Sequence, residues 1–169
     1  MLELGKAGSA GTEKGVLPVL RGEAVVATLR APNWKEAAMA HVGERSWVFA
    51  KEKGALTGRW EKDPEDAVRL QARPTSWWHG TWTVDLEGTT VHVESASRWK
   101  GTHRYVSGGR QVAESGTTGG WSPRPTLTAD DSLGLDHQVF LLWLELVVTR
   151  RNTAAMTAGV GAAVVGGSS

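Results

Sequence analysis

The segment over residues 139–148 constrains the fold of this chain more than any other, because nine of its ten residues are apolar. Glu145 is the single polar residue in it, and Arg150 and Arg151 follow shortly after. A helix on a protein surface has a broad polar face, whereas a helix that is apolar on nearly every side belongs in a core. We therefore expect a buried helix over about residues 136–151.

The same segment is too short for a membrane span, which needs about 20 predominantly apolar residues. Continuing the span through the Gly/Ala-rich residues 153–167 would place both arginines in mid-membrane, at about 2.5–3.5 kcal/mol each. We therefore predict no transmembrane span. The first residues resemble no export signal, and a chain without cysteine suits a reducing compartment. We expect the protein in the cytoplasm, free or peripheral to a membrane.

The residues before the helix are organised as short strands with alternating apolar and polar positions, separated by glycine-containing turns such as "SGG" at 107–109. Strands spaced at about ten residues are typical of sandwiches and barrels. The pattern predicts a mainly β fold, an antiparallel barrel of about 10–12 strands that encloses the one hydrophobic helix. The predicted strands cover residues 16–20, 23–29, 46–50, 55–60, 68–73, 81–86, 90–95, 102–106, 110–114 and 126–129.

The chain of 169 residues fits a single domain. We expect residues 1–15 to be a flexible segment and residues 16–152 to be the barrel with its helix. Residues 31–41 are expected to be a loop or one helical turn. The Gly/Ala-rich residues 153–169 are either helical or disordered, because small side chains bury little area.

The helix sequence "DHQVFLLWLELVV" and the hairpin "THRYVSGGRQVAESG" resemble the tubby C-terminal-like superfamily, which includes the LURP-one-related and phospholipid-scramblase domains. The resemblance covers about residues 16–150 and implies a roughly twelve-stranded barrel around a central helix. It also implies a non-catalytic binding or scaffold module that contacts a phospholipid headgroup or a protein partner. The absence of isoleucine and the abundance of Gly, Ala, Val, Thr and Arg indicate a bacterial coding bias. No stretch of this chain matches a headgroup-binding basic cluster.

Two other classes of function stay open. A small apolar-ligand barrel of the lipocalin or fatty-acid-binding type has the same strand pattern, but a helix inside the barrel would leave no room for a large ligand. A hydrolase-type enzyme would use the loop 114–125, "ESGTTGGWSPRP", although this loop has neither a G-x-S-x-G motif nor a phosphate-binding loop. No nucleophile–base pair is evident, and we expect no catalytic residue and no cofactor.

Nine tryptophans are spread along the chain, and most are expected to pack in the barrel wall. Successive side chains of a strand point to opposite faces, so one ring of the pair at 77–78 is expected to face outward. A loose basic patch near residue 100 and the ring in the loop 114–125 complete the predicted contacts. The predicted ligand or partner contacts are Trp77, Trp78, Arg98, Lys100, His103, Arg104 and Trp121.

The net charge of +1 predicts no general attraction to nucleic acid. A zinc site from His92, Glu94 and His103 on neighbouring strands is geometrically conceivable, but ordinary strand-surface roles are favoured and no metal is expected. Glu145, as a buried carboxyl group in the central helix, requires a partner. We expect either an ion pair with an arginine or histidine of the barrel wall or a position near a barrel mouth, and the functional alternative is a perturbed acid in a cavity. Glu145→Leu is expected to be tolerated, whereas loss of only the basic partner would be costly.

Overall fold

The computed structural model describes residues 1–76 and 78–165, with side chains through Gly159. It is a closed antiparallel barrel of twelve strands around one helix, α1 (Leu135–Val165), which confirms the predicted fold class. The strands are β1 (Leu2–Leu4), β2 (Leu17–Arg21), β3 (Ala24–Arg30), β4 (Ala37–Val42), β5 (Arg45–Glu52), β6 (Ala55–Trp60), β7 (Leu70–Ser76), β8 (Thr81–Leu86), β9 (Thr89–Ser97), β10 (Thr102–Ser107), β11 (Arg110–Thr118) and β12 (Arg124–Ala129).

The three-residue strand β1 closes the barrel between β2 and β12. Arg124 of β12 reinforces this seam, because its guanidinium donates to the carboxylate of Glu3 at 2.9 Å and to the carbonyl of Leu4 at 3.0 Å. The prediction of a flexible segment is therefore wrong for Leu2–Leu4. Residues 37–41, expected in a loop or helical turn, belong to β4, whose inward positions include small alanines that give a weak apolar signal.

The barrel interior is filled by α1, whose residues 139–147 are all buried. Phe49 of the wall meets Phe140 and Trp143 of the helix with ring centroids 5.2 Å apart in both pairs. Gly58 lies opposite Phe49 in the β5–β6 register. A Cβ atom at Gly58 would lie 3.1 Å from the Phe49 ring, so the missing side chain makes room for the aromatic contact with the helix.

The helix begins one residue earlier and ends later than predicted. The carbonyl of Gly134 accepts the first helical hydrogen bond, from the Gln138 amide at 3.0 Å. Asp136 therefore lies in the first turn, where a carboxylate interacts favourably with the helix dipole. The helix continues to Val165, well past Arg151, and within the described part of the chain no helix is long and apolar enough to cross a membrane.

The two ends of the barrel are distinct, because successive connections between antiparallel strands alternate from one end to the other. We call the end where α1 begins the proximal rim, and the end where α1 leaves the barrel the distal rim. The proximal rim consists of residues 22–23, 43–44, 61–69, 87–88, 108–109 and 130–134. The distal rim consists of residues 5–16, 31–36, 53–54, 78–80, 98–101 and 119–123.

Candidate interaction surface at one end of the barrel

Four tryptophans project from four separate connections of the distal rim. Trp34, Trp78, Trp99 and Trp121 are each at least 81% exposed. Large aromatic rings are normally buried or have a partner, because each ring carries a large apolar area. Trp78 and Trp121 are among the contacts predicted from the sequence, whereas Trp34 and Trp99 are not, and Trp77 lies outside the described residues. These four exposed indoles on one rim are the main candidate for a binding surface.

The tryptophan at the proximal rim is covered by a neighbouring side chain, unlike the four distal indoles. Trp60, at the end of β6, is 36% exposed. The guanidinium of Arg69 covers its ring, with the carbon atom Cζ 3.5 Å from the ring centroid. Arg69 is held there by Asp63, whose carboxylate accepts from Nε at 2.6 Å. The hydrogen bond from Arg69 lowers the pKa of the Asp63 carboxyl group. An aromatic ring on this rim is therefore covered by the protein itself.

The connections of the two rims carry opposite charge. The distal connections hold six basic residues and two acidic residues: Lys6, Lys14, Lys35, Lys53, Arg98 and Lys100 against Glu13 and Glu36. The proximal connections hold two basic residues and nine acidic residues: Lys62 and Arg69 against Glu23, Glu44, Glu61, Asp63, Glu65, Asp66, Glu87, Asp130 and Asp131. The net charge of +1 for the whole chain does not show that the two ends are oppositely charged. The end with the exposed indoles is the end that attracts anions.

Two arginines of α1 join the helix to the distal rim. Arg150 donates to the carbonyls of Ala31 at 3.0 Å and Pro32 at 3.1 Å. Arg151 donates to both carboxylate oxygens of Glu36, at 2.7 and 2.5 Å. The hydrogen bond from Arg151 is the main cause that lowers the pKa of the Glu36 carboxyl group. These bonds fix the connection 31–36, which carries one of the exposed indoles, against the helix.

An open cleft of about 590 Å³ lies beside this junction. Lys35, Lys51 and Arg150 contribute cations to its lining, whereas Val147 and Ala154 contribute apolar surface. Arg150 is half-buried, and within the part of the chain that the structure describes it has no carboxylate partner. Burial lowers the pKa of its guanidinium. The cleft thus combines positive charge with an apolar wall, which suits an amphipathic anion.

Glu145 sits inside the barrel in its distal half and is surrounded by donors of the wall. His103 Nδ1 donates to its two oxygens at 3.0 and 3.1 Å, and the Tyr105 hydroxyl donates to Oε1. The His103 amide donates to Ser115 Oγ at 2.8 Å. Burial, and then the negative charge of Glu145, raise the pKa of Tyr105 well above its usual value. The expected partner in the barrel wall is therefore a histidine, with a tyrosine beside it.

The inward position of His103 corrects its placement in the outer basic patch and excludes the zinc possibility. His103 and Tyr105 alternate with the exposed Arg104 in β10, so both side chains face into the barrel. The imidazole cannot belong to the outer basic patch expected with Arg98, Lys100 and Arg104. Nor can it share a zinc ion with His92 and Glu94, because both are exposed on the outer face of β9. The described residues contain no cluster of three potential metal ligands.

The other predicted contact residues are divided between two places. Arg98 and Lys100 lie in the connection 98–101 of the distal rim, on either side of an exposed indole. Arg104 lies on the outer face of β10, where it is 3.9 Å from the carboxylate of Glu94. The loop 114–125 is mostly strand, because β11 extends to Thr118 and β12 begins at Arg124. Only residues 119–123 form its exposed connection.

Comparison of the chain with protein-family models, with curated proteins and with solved structures gave no match. Four indoles, surplus positive charge and the departing helix meet at the distal rim, whereas the proximal rim carries surplus negative charge.

Proposed function

We infer that this protein is a non-catalytic module that docks on the surface of an anionic phospholipid membrane through its distal rim. The observation that carries the proposal is the exposure of four indole rings on that rim. Tryptophan is enriched at the interface between membrane and water, where its ring sits among the headgroups. Four rings on one rim can engage a flat surface together.

The charge of the distal rim supports an anionic surface. Each lysine or arginine close to an anionic bilayer contributes about 1 kcal/mol of attraction, which falls off within a Debye length. The acidic connections lie at the opposite end of the barrel and would point away from the membrane. The charge distribution therefore favours one orientation of the docked protein. The resemblance to a superfamily with lipid-contacting members agrees with this proposal.

The interior of the barrel argues for docking over enclosure of a ligand. In a ligand-binding barrel of the lipocalin type the interior holds the ligand. Here the helix residues 139–147 occupy that space and are buried. Within the described residues, the barrel therefore has no internal cavity for a small apolar ligand. The proposed contact is made at the rim instead.

Vesicle flotation tests the proposal with vesicles of phosphatidylcholine and of phosphatidylcholine with phosphatidylserine. The wild-type chain should float with the anionic vesicles. Replacing all four distal indoles by serine should reduce binding at least tenfold. The matched control carries Val25→Ser and Val68→Ser, which remove two exposed apolar side chains near the other end, and should float like the wild type.

A second pair of variants tests the role of charge. Lys35→Glu, Arg98→Glu and Lys100→Glu together should abolish the preference for anionic vesicles. Arg21→Glu, Lys62→Glu and Arg110→Glu make the same change in net charge at the proximal end and should leave that preference intact. Absence of wild-type flotation with either vesicle, or equal effects of the two triple variants, would refute docking through the distal rim.

A further inference from the structure

We propose that the part of α1 beyond the barrel, residues 152–165, inserts into a single leaflet of the membrane on which the distal rim docks. This inference rests on the proposed function and adds how far the docked protein enters the bilayer. The helix leaves the barrel through the rim that carries the four exposed indoles. A bilayer on which these rings rest therefore also meets the emerging helix.

The composition of residues 152–165 is compatible with hydrocarbon. The segment contains no Asp, Glu, Lys, Arg or His, in a chain of which 22% of the residues are charged. The described side chains of residues 152–159 are all exposed, and Met156 is 74% exposed. A helix in water normally turns a polar face to the solvent. This one offers only Asn152 next to the rim and two threonines.

Both threonines satisfy their hydroxyl donors within the helix. Thr153 Oγ1 donates to the Thr149 carbonyl at 3.0 Å, and Thr157 Oγ1 donates to the Thr153 carbonyl at 3.0 Å. A polar group in hydrocarbon must find its partner inside the protein, because no water is present there. The helical backbone meets the same requirement up to its last turn, whose carbonyl groups have no partner within the helix. The two threonines therefore do not oppose insertion with an unpaired donor.

The length of the segment matches one leaflet. Among the residues whose side chains the structure describes, Arg151, paired with Glu36, is the last in the helix with a hydrogen bond to the rim. The helix continues for another 14 residues to Val165, which is about 21 Å at 1.5 Å per residue. Half of a bilayer with its headgroups is also about 20–22 Å thick. A rim resting on the headgroups would place the far end of the helix near the bilayer midplane.

The absence of cysteine from the chain allows a direct test of depth. Met156→Cys places a single thiol on the exposed helix, and Val68→Cys places one on the proximal rim as a control. Each thiol is labelled with an environment-sensitive nitrobenzoxadiazole dye. The labelled proteins are mixed with phosphatidylcholine and phosphatidylserine vesicles whose acyl chains carry bromine at a shallow or a deep position.

The dye at residue 156 should brighten severalfold on vesicle binding, and acyl-chain bromine should quench it. The dye at residue 68 should change in neither respect. Ala158→Lys should preserve the melting temperature, because residue 158 is exposed, but should weaken the brightening at residue 156. These results together would support insertion.

Three outcomes overturn the proposal in distinguishable ways. If the labelled protein floats with vesicles but the dye at residue 156 does not respond, the rim docks and the helix stays outside the membrane. If brightening occurs without vesicles and rises with protein concentration, the helix packs against a second copy of the chain through its small residues. Failure to float at all removes the proposed function and this inference together.

Discussion

The two rims of this barrel are built from the same kind of connection but use their side chains in opposite ways. At the proximal rim, Arg69 covers the ring of Trp60, and carboxylates hold the arginines. At the distal rim four indoles remain exposed. A tryptophan in a rim of this barrel therefore need not be exposed, because Arg69 covers the ring of Trp60 at the proximal rim. The exposure at the other end is a feature of the distal connections themselves.

The helix is also held differently towards its two ends. In the distal half, Glu145 accepts from His103 and Tyr105, and all three side chains are buried. At the proximal rim, Asp136 accepts from Trp47 and from Arg45, whose side chain is 58% exposed. Removing either carboxylate should destabilise the barrel, but only the distal site leaves all its donors without access to water. The following changes test how far the two ends differ, from the largest expected effect to the smallest.

Glu145→Leu should lower the free energy of unfolding by about 3–5 kcal/mol, because it leaves buried hydrogen-bond donors without their acceptor. This reverses the expectation from the sequence, where an apolar helix favoured tolerance of leucine. His103 Nδ1 and the Tyr105 hydroxyl both depend on this one carboxyl group. Urea unfolding followed by tryptophan fluorescence measures the change.

Glu145→Gln is the matched control, because the amide keeps one oxygen acceptor in the same volume. It should cost about 1–2 kcal/mol, less than the leucine variant. Equal stability of the leucine variant and the wild type would show that the buried cluster contributes no net stability, and the distal half would then be no more sensitive than the proximal rim.

Asp136→Ala should cost about 1–3 kcal/mol, because the indole N–H of buried Trp47 loses its acceptor at 2.8 Å. The effect should be smaller than for Glu145→Leu, since Arg45 can turn to water. Arg45→Ala leaves the Trp47 bond in place and should cost less than Asp136→Ala. The same unfolding experiment ranks the three variants, and a larger loss from Arg45→Ala would contradict the assignment to the indole.

Alkaline titration gives the most local test, because Tyr105 is the only tyrosine in the chain. Its pKa in the folded protein is raised well above the usual 10.0 by burial and by Glu145. A raised folded-state pKa stabilises the fold fully below pH 10.0, and this contribution is lost as the pH rises further, by about 1.4 kcal/mol for each pH unit. The tyrosinate absorbance should therefore appear together with unfolding, and not before it.

A reversible tyrosinate signal near pH 10 in a protein that stays folded would show that this cluster is open to solvent. Tryptophan fluorescence recorded on the same samples distinguishes the two cases. In the first, both signals change at one pH; in the second, the absorbance changes alone.

The sequence predicted the barrel and its buried helix because both depend on local patterns. Alternation marks most strands, and an apolar run interrupted once marks the helix core. The length of α1 was underestimated because Arg150 and Arg151 suit a helix end, yet they bond to the distal rim in mid-helix. His103 faces inward because it alternates with Arg104 and shares a face with Tyr105 in β10. This signal was present in the sequence, but the polar imidazole favoured a place on the outer face.

The grouping of the indoles shows a different limit. Which end of a barrel a connection occupies depends on how many strands precede it, so one missed strand reverses every later assignment. The prediction omitted β4, and without it the connection with Trp34 would lie at the opposite end from the one with Trp78. A surface assembled from four distant connections therefore becomes visible only after every strand has been counted.

The position of α1 at the centre of the barrel has a consequence for the order of events during protein synthesis. The helix follows all twelve strands in the sequence, so the strands leave the ribosome before the residues that fill their interior. The first strand must also wait for β12, its partner across the seam between Leu2 and Leu127. Contacts so distant in sequence make folding slow, because long loops must close before they form. A nascent chain halted before residue 139 would thus hold a complete set of strands with nothing to wrap around, and would depend on chaperones until translation resumed.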